Sequence, residues 1–352
     1  MPTLATEPAP RHYPPSWYAT SAQLLPPFTP LQGDTQTDVC VIGGGYTGLS
    51  TALHLRKKGY DVVVLDAERV GWGASGRNGG HVGTGQRADQ TAIENWVGLE
   101  AAKGLWQLSL EAVQRVCDLI DEYQIDCELG SGNLHFAAKP SHAGGLQDEL
   151  EHLERVYGYE QLSYVSPDKI SELSSARGFH GALLDNGCRH LHPLKYALGL
   201  ARAAQEAGIK IFEGTHGRPS SDGSTGEVIT QYGRVKARHV VMACNAYLGK
   251  LMPRLAGNIM PINNFVIATE PLPSQLLQRI NRDNLSMSDT LFVINYWKLS
   301  EDGRLIFGGG ENYSSRFPRD IAAFVRPHML KIYPELERTA LSCGAGAQEG
   351  LP

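Results

Sequence analysis

The segment that most constrains this chain is "DVCVIGGGYTGLS", where a short apolar strand runs directly into glycines spaced G-x-G-x-x-G. Gly43 permits a tight turn, Gly45 lets the backbone approach a phosphate, and Gly48 lets the following helix pack close to the strand. The first N–H groups of that helix, together with the positive end of its dipole, favour an anion. We therefore expect a βαβ unit that binds the pyrophosphate of a dinucleotide.

A carboxylate completes this motif. Asp66 ends the next apolar run, "YDVVVLDA", at about the 20-residue spacing at which an acid accepts hydrogen bonds from ribose hydroxyls. An acid rather than an arginine at this place disfavours a 2′-phosphate, and hence NADP. The motif does not separate NAD from FAD, so both stay open at this point.

A second glycine-rich segment, "VGWGASGRNGGH" at residues 70–81, follows closely. Few side chains cover this stretch, so a flat ring system and its linker could lie along its backbone. Its amides from Ser75 to Gly80 could donate to phosphate oxygens or to the oxygens and nitrogens of a flavin. The alternative on spacing alone is a flexible surface loop.

Composition excludes several classes of protein. The chain has 352 residues and a formal net charge of −5, without the clustered basic excess that nucleic-acid binding requires. No apolar run is long enough to span a bilayer, and the Pro-rich start lacks the pattern of a secretory signal. The six cysteines are scattered without a C-x-x-C pair, so we expect reduced thiols and a cytoplasmic protein.

The order of predicted elements indicates an α/β fold with a Rossmann-like lobe interleaved with a lobe of mixed or antiparallel sheet. Residues 94–123 and the segment from Pro193 to Gly208 are predicted as helices, as are residues 320–332. "GEVITQYGRVKARHVVMACNAY" predicts a hairpin, and "TLFVINYWKLSEDGRLIFGGG" predicts antiparallel strands.

Five segments carry a family resemblance: "DVCVIGGGYTGLSTALHL", "VVVLDAERVGWGASGRNGG", "HLHPLKYALGLA", "HVVMACNAYLG" and "GRLIFGGG". The chain resembles the FAD-dependent D-amino-acid-oxidase-type oxidoreductases, and above all their gamma-glutamylputrescine oxidoreductase branch. Composition predicts an irregular N-terminal arm at 1–35, and with the resemblance we expect an FAD-binding lobe at 36–125 and 189–255. The substrate lobe is expected at 126–188 and 256–335, and an atypical tail at 336–352.

The resemblance also implies roles for individual residues. Gly43, Gly45 and Gly48, with Tyr46 and Thr47 between them, would hold the FAD pyrophosphate, and Asp66 the ribose. The pyrophosphate, ribityl chain and flavin ring would be bordered by Ala74, Ser75, Arg77, Asn78, Gly79 and Gly80. Some relatives attach flavin covalently through a histidine where Asn78 stands, and His81 lies two or three residues too far along. Noncovalent FAD is therefore expected.

The resemblance implies oxidation of a small-molecule amine. Hydride leaves the carbon beside nitrogen for the flavin, the imine hydrolyses to an aldehyde or keto acid, and O₂ or another acceptor takes the electrons, giving hydrogen peroxide with O₂. The cofactor carries this chemistry, so no catalytic acid or base is predicted. The alternatives are a sarcosine- or glycine-type oxidase of the same fold, an NAD-linked dehydrogenase, and a truncated remnant without activity.

Other residues give weaker signals. Tyr296 lies where amino-acid-oxidising relatives contact substrate, although it could be an ordinary cross-strand aromatic. Strand alternation places Trp297 on the opposite face, and Lys298 is expected to be an exposed edge-strand lysine rather than an oxygen-activating one. His190 and His192, just before a predicted helix, lack further ligands, so satisfied histidines at the helix start are favoured over a metal site.

The sequence departs from the family pattern at two places. His216 and Gly217 stand where the family has a valine whose backbone meets adenine. The end of the chain, "ALSCGAGAQEGLP", shows no apolar periodicity and predicts no strand, whereas relatives continue with a strand and a helix whose N-terminus points at the flavin. From this tail we expect a truncated FAD lobe that binds FAD weakly or not at all.

Overall fold

The structure, a computed structural model, describes residues 12–220, 226–313 and 318–351. The chain divides into two compact units. The first unit contains the described parts of Met1–Arg77, Leu194–Asn263 and Ala347–Pro352, and the second contains those of Asn78–Pro193 and Asn264–Gly346.

Strands and helices alternate irregularly along the chain. The strands are β1 (Thr35–Ile42), β2 (Val62–Leu65), β3 (His81–Val82), β4 (Gly130–Phe136), β5 (Leu162–Val165), β6 (Ala182–His190), β7 (Lys210–Phe212), β8 (Arg218–Pro219), β9 (Glu227–Ile229), β10 (Arg234–Met242), β11 (Met260–Thr269), β12 (Ser286–Asp289), β13 (Tyr296–Leu299), β14 (Leu305–Asn312) and β15 (Leu341–Leu351). The helices are α1 (Trp17–Ser21), α2 (Tyr46–Lys57), α3 (Gln90–Val97), α4 (Leu99–Glu122), α5 (Pro140–Tyr157), α6 (Ile170–Leu173), α7 (Pro193–Glu206), α8 (Pro253–Ala256), α9 (Ser274–Ile280) and α10 (Ile321–Ile332).

The first unit contains a sheet in the order β7-β2-β1-β10-β9-β8. Its first four strands are parallel, and the β8–β9–β10 ribbon is antiparallel. The buried run Val39–Ile42 at the end of β1 is continuous rather than alternating, as a parallel strand covered on both faces requires. The predicted βαβ unit is therefore formed by β1, α2 and β2.

The N-terminal arm is attached to the first unit by specific bonds. Arg69 and Glu213 form a buried ion pair of 2.7 Å, and the Glu213 carboxylate also accepts from the Phe28 backbone N–H at 3.0 Å. The Leu31 N–H donates to Thr215 Oγ1 at 3.1 Å. The arm was expected to be irregular, and its described part is so except for the short helix α1.

The second sheet follows the order β15-β11-β14-β13-β12-β4-β6-β3, with β5 paired to β6. One face of this sheet packs on α10 around a large apolar core. That core includes Phe136, Phe265, Trp297, Phe307, Val325 and Met329. The opposite face is polar in its centre, because the alternate positions of β4, β12 and β13 carry Asn133, His135, Ser286, Ser288, Tyr296 and Lys298.

Several boundaries differ from those expected. Residues 78–125, assigned from the sequence to the FAD-binding lobe, lie in the second unit. The helix expected over residues 94–123 is broken at Gly98, whose positive φ of 83° ends α3 and begins α4. Residues 290–295, expected to start an antiparallel strand, are irregular, and the strand before them is β12. No helix among the described residues combines the length and apolar character that crossing a membrane requires.

Two expectations are wrong. Lys298 is 1% exposed rather than an exposed edge residue, because β13 lies between β12 and β14 in the sheet interior. The tail does contain a strand, β15, which pairs with β11 at the end of the sheet. An extended backbone can pair with an open strand edge through its own N–H and C=O groups, so apolar alternation is not required.

Candidate functional site

The first unit contains a cavity of about 1000 Å³ at the carboxyl ends of its central strands. Ile42 of β1 and Leu65 of β2 lie on its wall, and Ala243 follows β10 directly. In open α/β sheets, ligands bind at this edge, outside the carboxyl ends of the strands. The volume is at the upper end of the range of about 300–1,000 Å³ for small-molecule sites.

Glycine backbone forms one wall of this cavity. Gly43 and Gly45 both border the cavity. Gly43 has a φ of 114°, and a Cβ there would stand 2.3 Å from the Ala243 carbonyl oxygen. Gly48 is different, because it lies in α2 and a Cβ there would stand 1.8 Å from the Gly43 carbonyl oxygen. Gly48 therefore permits the turn itself, whereas Gly45 exposes backbone to the cavity.

Asp66 is fixed at the end of β2 by both carboxylate oxygens. Its Oδ2 accepts from the Gly44 N–H at 2.7 Å, and its Oδ1 accepts from the Glu68 N–H at 2.7 Å. The pKa of Asp66 is raised to about 6, chiefly by burial and in part by Glu213 and Glu68, against the lowering effect of these N–H donors. Each oxygen keeps acceptor capacity on the cavity wall, as recognition of ribose hydroxyls requires.

The second glycine-rich segment lies directly against the first. Ser75, in a short 3₁₀ turn over Ala74–Gly76, accepts from the Tyr46 N–H at the start of α2 with a distance of 3.1 Å. Ala74 and Ser75 line the same cavity as Gly43 and Asp66. This part of the segment is therefore a wall of the cavity rather than a detached surface loop.

Arg77 does not line the cavity itself but packs against residues that do. Its guanidinium lies 4.7 Å from the centre of the Trp72 ring, its Nε donates to the Gly73 carbonyl at 3.3 Å, and its Nη2 donates to the Tyr247 hydroxyl at 3.4 Å. Burial lowers the pKa of this guanidinium. Arg77 therefore holds Trp72 and Tyr247, which do line the cavity. Tyr46 packs its ring on Tyr196 at 5.2 Å.

Asn78, Gly79 and Gly80 belong to the second unit. The Gly80 N–H donates to Asn78 Oδ1 at 2.7 Å. A Cβ on Gly79 would stand 2.5 Å from the Tyr296 ring, and one on Gly80 would stand 2.0 Å from the Leu191 carbonyl oxygen and 3.3 Å from Lys298 Cε. These glycines are therefore required by close packing within the second unit.

Tyr296 is central to this arrangement. Its ring lies between Gly79 and Gly308 and meets the His81 ring edge-on, with the ring centres 5.7 Å apart. Its hydroxyl donates to Asn264 Oδ1. Trp297 points into the apolar core, and Lys298 shares the Tyr296 face.

His81 on β3 and His190 on β6 lie opposite each other in neighbouring strands. The pKa of His81 is lowered to about 3 and that of His190 to about 4, chiefly by burial and in part by the charge of Lys298. Both imidazoles are therefore neutral near pH 7. His190 Nε2 lies 2.7 Å from the Asn284 carbonyl oxygen, and His192 is fully buried.

Sequence reasoning missed much of the first cavity's wall. The missed residues lie in loops far apart along the chain, at 215–218, 229–231 and 244–251. His216 and Gly217, noted as departures from the family, both lie on this wall, and a Cβ on Gly217 would stand 2.9 Å from Leu65 Cδ1. One part of this wall, at residues 245–249, is the segment "NAYLG". That segment belongs to the family resemblance, but the sequence analysis predicts no binding role for it.

Comparisons with known proteins agree with this geometry. Residues 38–351 match the family model described as FAD dependent oxidoreductase. The gamma-glutamylputrescine oxidoreductase of Escherichia coli is 39% identical over 323 residues, covering 92% of this chain and 76% of the relative. A probable oxidoreductase OrdL of Rhizobium meliloti is 37% identical and covers 96% of this chain and 78% of the relative.

A solved structure has a similar fold. Glycine oxidase from Geobacillus kaustophilus matches with a TM-score of 0.73 at 20% sequence identity, over 90% of this chain and 83% of that chain. At this identity the match supports the fold alone.

Proposed function

This chain belongs to the FAD dependent oxidoreductase family, and on that premise we propose that it oxidises an amine related to gamma-glutamylputrescine, with FAD held noncovalently. The substrate class is supported by the 39% identity to the Escherichia coli enzyme of that name. Position 78, where some relatives carry the histidine that binds flavin covalently, is an asparagine whose Oδ1 accepts from the Gly80 N–H. This supports noncovalent attachment.

The observation that carries the cofactor assignment is the cavity bordered by Gly43, Gly45 and Asp66. The residues present fit FAD. Bare backbone stands where a pyrophosphate would approach the start of α2, and a doubly anchored carboxylate stands where a ribose would bind. We assign Gly43, Gly45 and Ser75 to the pyrophosphate and Asp66 to the adenosine ribose.

The chemistry that FAD supplies when bound is acceptance of hydride from the carbon beside the amine nitrogen, followed by reoxidation by O₂ or another acceptor. The chain's own residues bind and orient the cofactor and the substrate. Tyr296 is proposed to contact the substrate, supported by its fixed ring and its hydroxyl on the polar sheet face. The His81 ring, which meets the Tyr296 ring edge-on, is neutral near pH 7 because burial lowers its pKa.

The expected weak binding of FAD rested in part on a tail without a strand, and that premise is wrong. We propose that the chain takes up one FAD. The affinity of the chain for FAD stays a prediction, and titration of FAD into the purified chain measures that affinity.

The substrate proposal is tested by a hydrogen peroxide assay on the FAD-loaded chain. The panel is gamma-glutamylputrescine, putrescine, sarcosine and glycine. The proposal predicts the highest kcat/KM for gamma-glutamylputrescine. Preference for sarcosine or glycine would instead establish an amino-acid oxidase of the same fold. Full FAD loading without turnover, also with an artificial electron acceptor, would support the inactive remnant.

A further inference from the structure

The described beginning of the N-terminal arm contacts the second glycine-rich segment at the place where that segment starts. The Tyr13 hydroxyl donates to the Val70 carbonyl at 2.8 Å. The His12 carbonyl accepts from Trp72 Nε1 at 3.2 Å. Trp72 lines the first-unit cavity, so the arm holds one residue of the cavity wall directly and the residue that leads into this wall.

A buried ion pair connects the same arm to the same segment. Glu213, directly after β7, is 3% exposed. Its Oε1 accepts from the Val70 N–H at 2.8 Å, and its Oε2 accepts from the Phe28 N–H at 3.0 Å and lies 2.7 Å from Arg69 Nε. Arg69 Nη2 in turn donates to the Leu25 carbonyl at 2.7 Å. The pair therefore joins the arm, the end of β7 and the start of the glycine-rich segment.

Val70 is thus held at both of its backbone groups, its N–H by Glu213 and its carbonyl by Tyr13. The next five residues, 71–75, form a continuous part of the cavity wall. Glycines in this stretch leave few side chains to hold it, and glycine loses more conformational freedom on ordering than any other residue. Anchors at its start reduce the freedom that FAD binding would otherwise have to remove.

The anchoring side chains are separate from the cavity itself. Neither Tyr13 nor Glu213 lines it, so neither is placed to contact a ligand there. Burial raises the pKa of Tyr13 above its ordinary value, so the hydroxyl keeps the proton that it donates to Val70. A buried ion pair is by itself weak evidence for stability, whereas the bonds of Glu213 to two distant backbone segments fix where those segments lie.

We propose that the N-terminal arm is a strap that positions the cavity wall at residues 71–75 for FAD, with Tyr13 as its positioning residue. Tyr13 acts through the Val70 carbonyl rather than by contact with the cofactor. The inference rests on the assignment of the first-unit cavity to FAD under the proposed function. Coupling of this kind is reciprocal, so a strap that favours FAD binding is itself held more tightly once FAD is bound.

Tyr13→Phe tests the strap in the full chain. It removes the hydrogen bond to the Val70 carbonyl and keeps the ring that packs 5.0 Å from the Arg69 guanidinium. Glu213→Ala is less suitable, because it would leave the Arg69 charge buried without its ion-pair partner and destabilise the whole chain.

Tyr157→Phe is the matched control. Tyr157 is half-buried like Tyr13, and its hydroxyl donates to Glu94 at 2.6 Å within the second unit. FAD titration followed by flavin fluorescence should show about threefold weaker binding in Tyr13→Phe, within the size of one neutral hydrogen bond, and wild-type affinity in Tyr157→Phe. Wild-type affinity in Tyr13→Phe, or an equal loss in both variants, would overturn the proposal.

Hydrogen exchange measures the reciprocal effect, which a purely structural arm would not show. The Phe28 N–H is bonded to Glu213, outside the cavity wall, so its exchange reports docking of the arm. FAD should slow this exchange several-fold in wild-type chain and less in Tyr13→Phe. Exchange at the Gly59 N–H, bonded within the turn after α2, should not change. Phe28 exchange that FAD leaves unaltered would also overturn the proposal.

Failure of the proposed function gives a different result. A chain that saturates with FAD but oxidises no amine fails the hydrogen peroxide assay, while the affinity and exchange measurements still decide whether the strap exists. A wild-type chain that takes up no FAD would overturn the strap and the cofactor assignment together.

Discussion

Alanine substitutions at Gly45 and Gly48 should separate two roles that the G-x-G-x-x-G motif combines. At Gly48 a Cβ would stand 1.8 Å from the Gly43 carbonyl oxygen and 3.2 Å from Val41 Cγ1. The turn at Gly43 and the buried strand β1 could make room for this atom only if their backbone moved. We expect Gly48→Ala to cost about 3 kcal/mol, the upper end of what overpacking a close-packed site costs, and to lower Tm by about 6–12 °C.

Gly45→Ala should behave differently. Its φ of −88° suits alanine, and the nearest atom to its Cβ would be Ser75 Oγ at 2.7 Å. That hydroxyl can rotate, losing its bond to the Tyr46 N–H at a cost of about 1 kcal/mol. We therefore expect a Tm within about 4 °C of wild type. Gly45 and Ser75 both line the cavity, so the added methyl group and the displaced hydroxyl should lower FAD affinity about tenfold or more, which is about 1.4 kcal/mol.

The assays are thermal unfolding followed by circular dichroism, and FAD titration followed by flavin fluorescence. Gly59→Ala is no suitable control, because its φ is positive. Gly144→Ala serves instead, because it lies on α5 with nothing within 4 Å of its Cβ. Wild-type FAD affinity in Gly45→Ala, or wild-type Tm in Gly48→Ala, would refute the reasoning.

Three further predictions concern the titratable groups and Tyr296. Lys298→Met should raise the pKa of both His81 and His190 in an NMR titration. Because burial is the larger cause of their lowered pKa, both should stay below the ordinary value of about 6.5. Unchanged pKa values would contradict the effect assigned to the Lys298 charge. FAD affinity should fall as the pH drops below about 6, because the Asp66 pKa is raised to about 6 and ribose hydroxyls donate to the ionised form; a flat profile from pH 5 to 8 would exclude Asp66 as the ribose ligand. Tyr296→Phe should raise KM for the amine several-fold without changing FAD affinity; an unchanged KM would leave Tyr296 with a packing role only.

The local part of the fold could be predicted from sequence. The turn at Gly43, the helix α2 and the acid at Asp66 follow from residues adjacent in the chain, whose geometric demands are specific. The bond from the Tyr46 N–H to Ser75 Oγ joins this turn to the second glycine-rich segment, and the roles predicted for both toward FAD stay predictions. The turn, the helix and the position of Asp66 depend on backbone geometry within a short stretch of chain, and the local order of residue types specifies that geometry.

Features that depend on strand order could not be predicted in the same way. Lys298 is buried because β12 and β14 flank its strand, and β12, with the sequence SMSD, has no apolar alternation by which to recognise it. The strand β15 likewise forms through backbone pairing rather than side-chain pattern. The second unit also contains a cavity lined by Asp89, Glu149 and Asp185, which could not be predicted because these residues come from three distant segments.

The central claim is that the first-unit cavity binds the adenosine and pyrophosphate half of FAD, and competition tests it most directly. FAD is titrated into the purified chain and followed by flavin fluorescence, with and without ADP. The account predicts saturation at one FAD per chain, displacement by ADP, and weakened uptake in Gly45→Ala. Saturable FAD uptake that neither ADP nor Gly45→Ala alters, or no uptake at all, would contradict it.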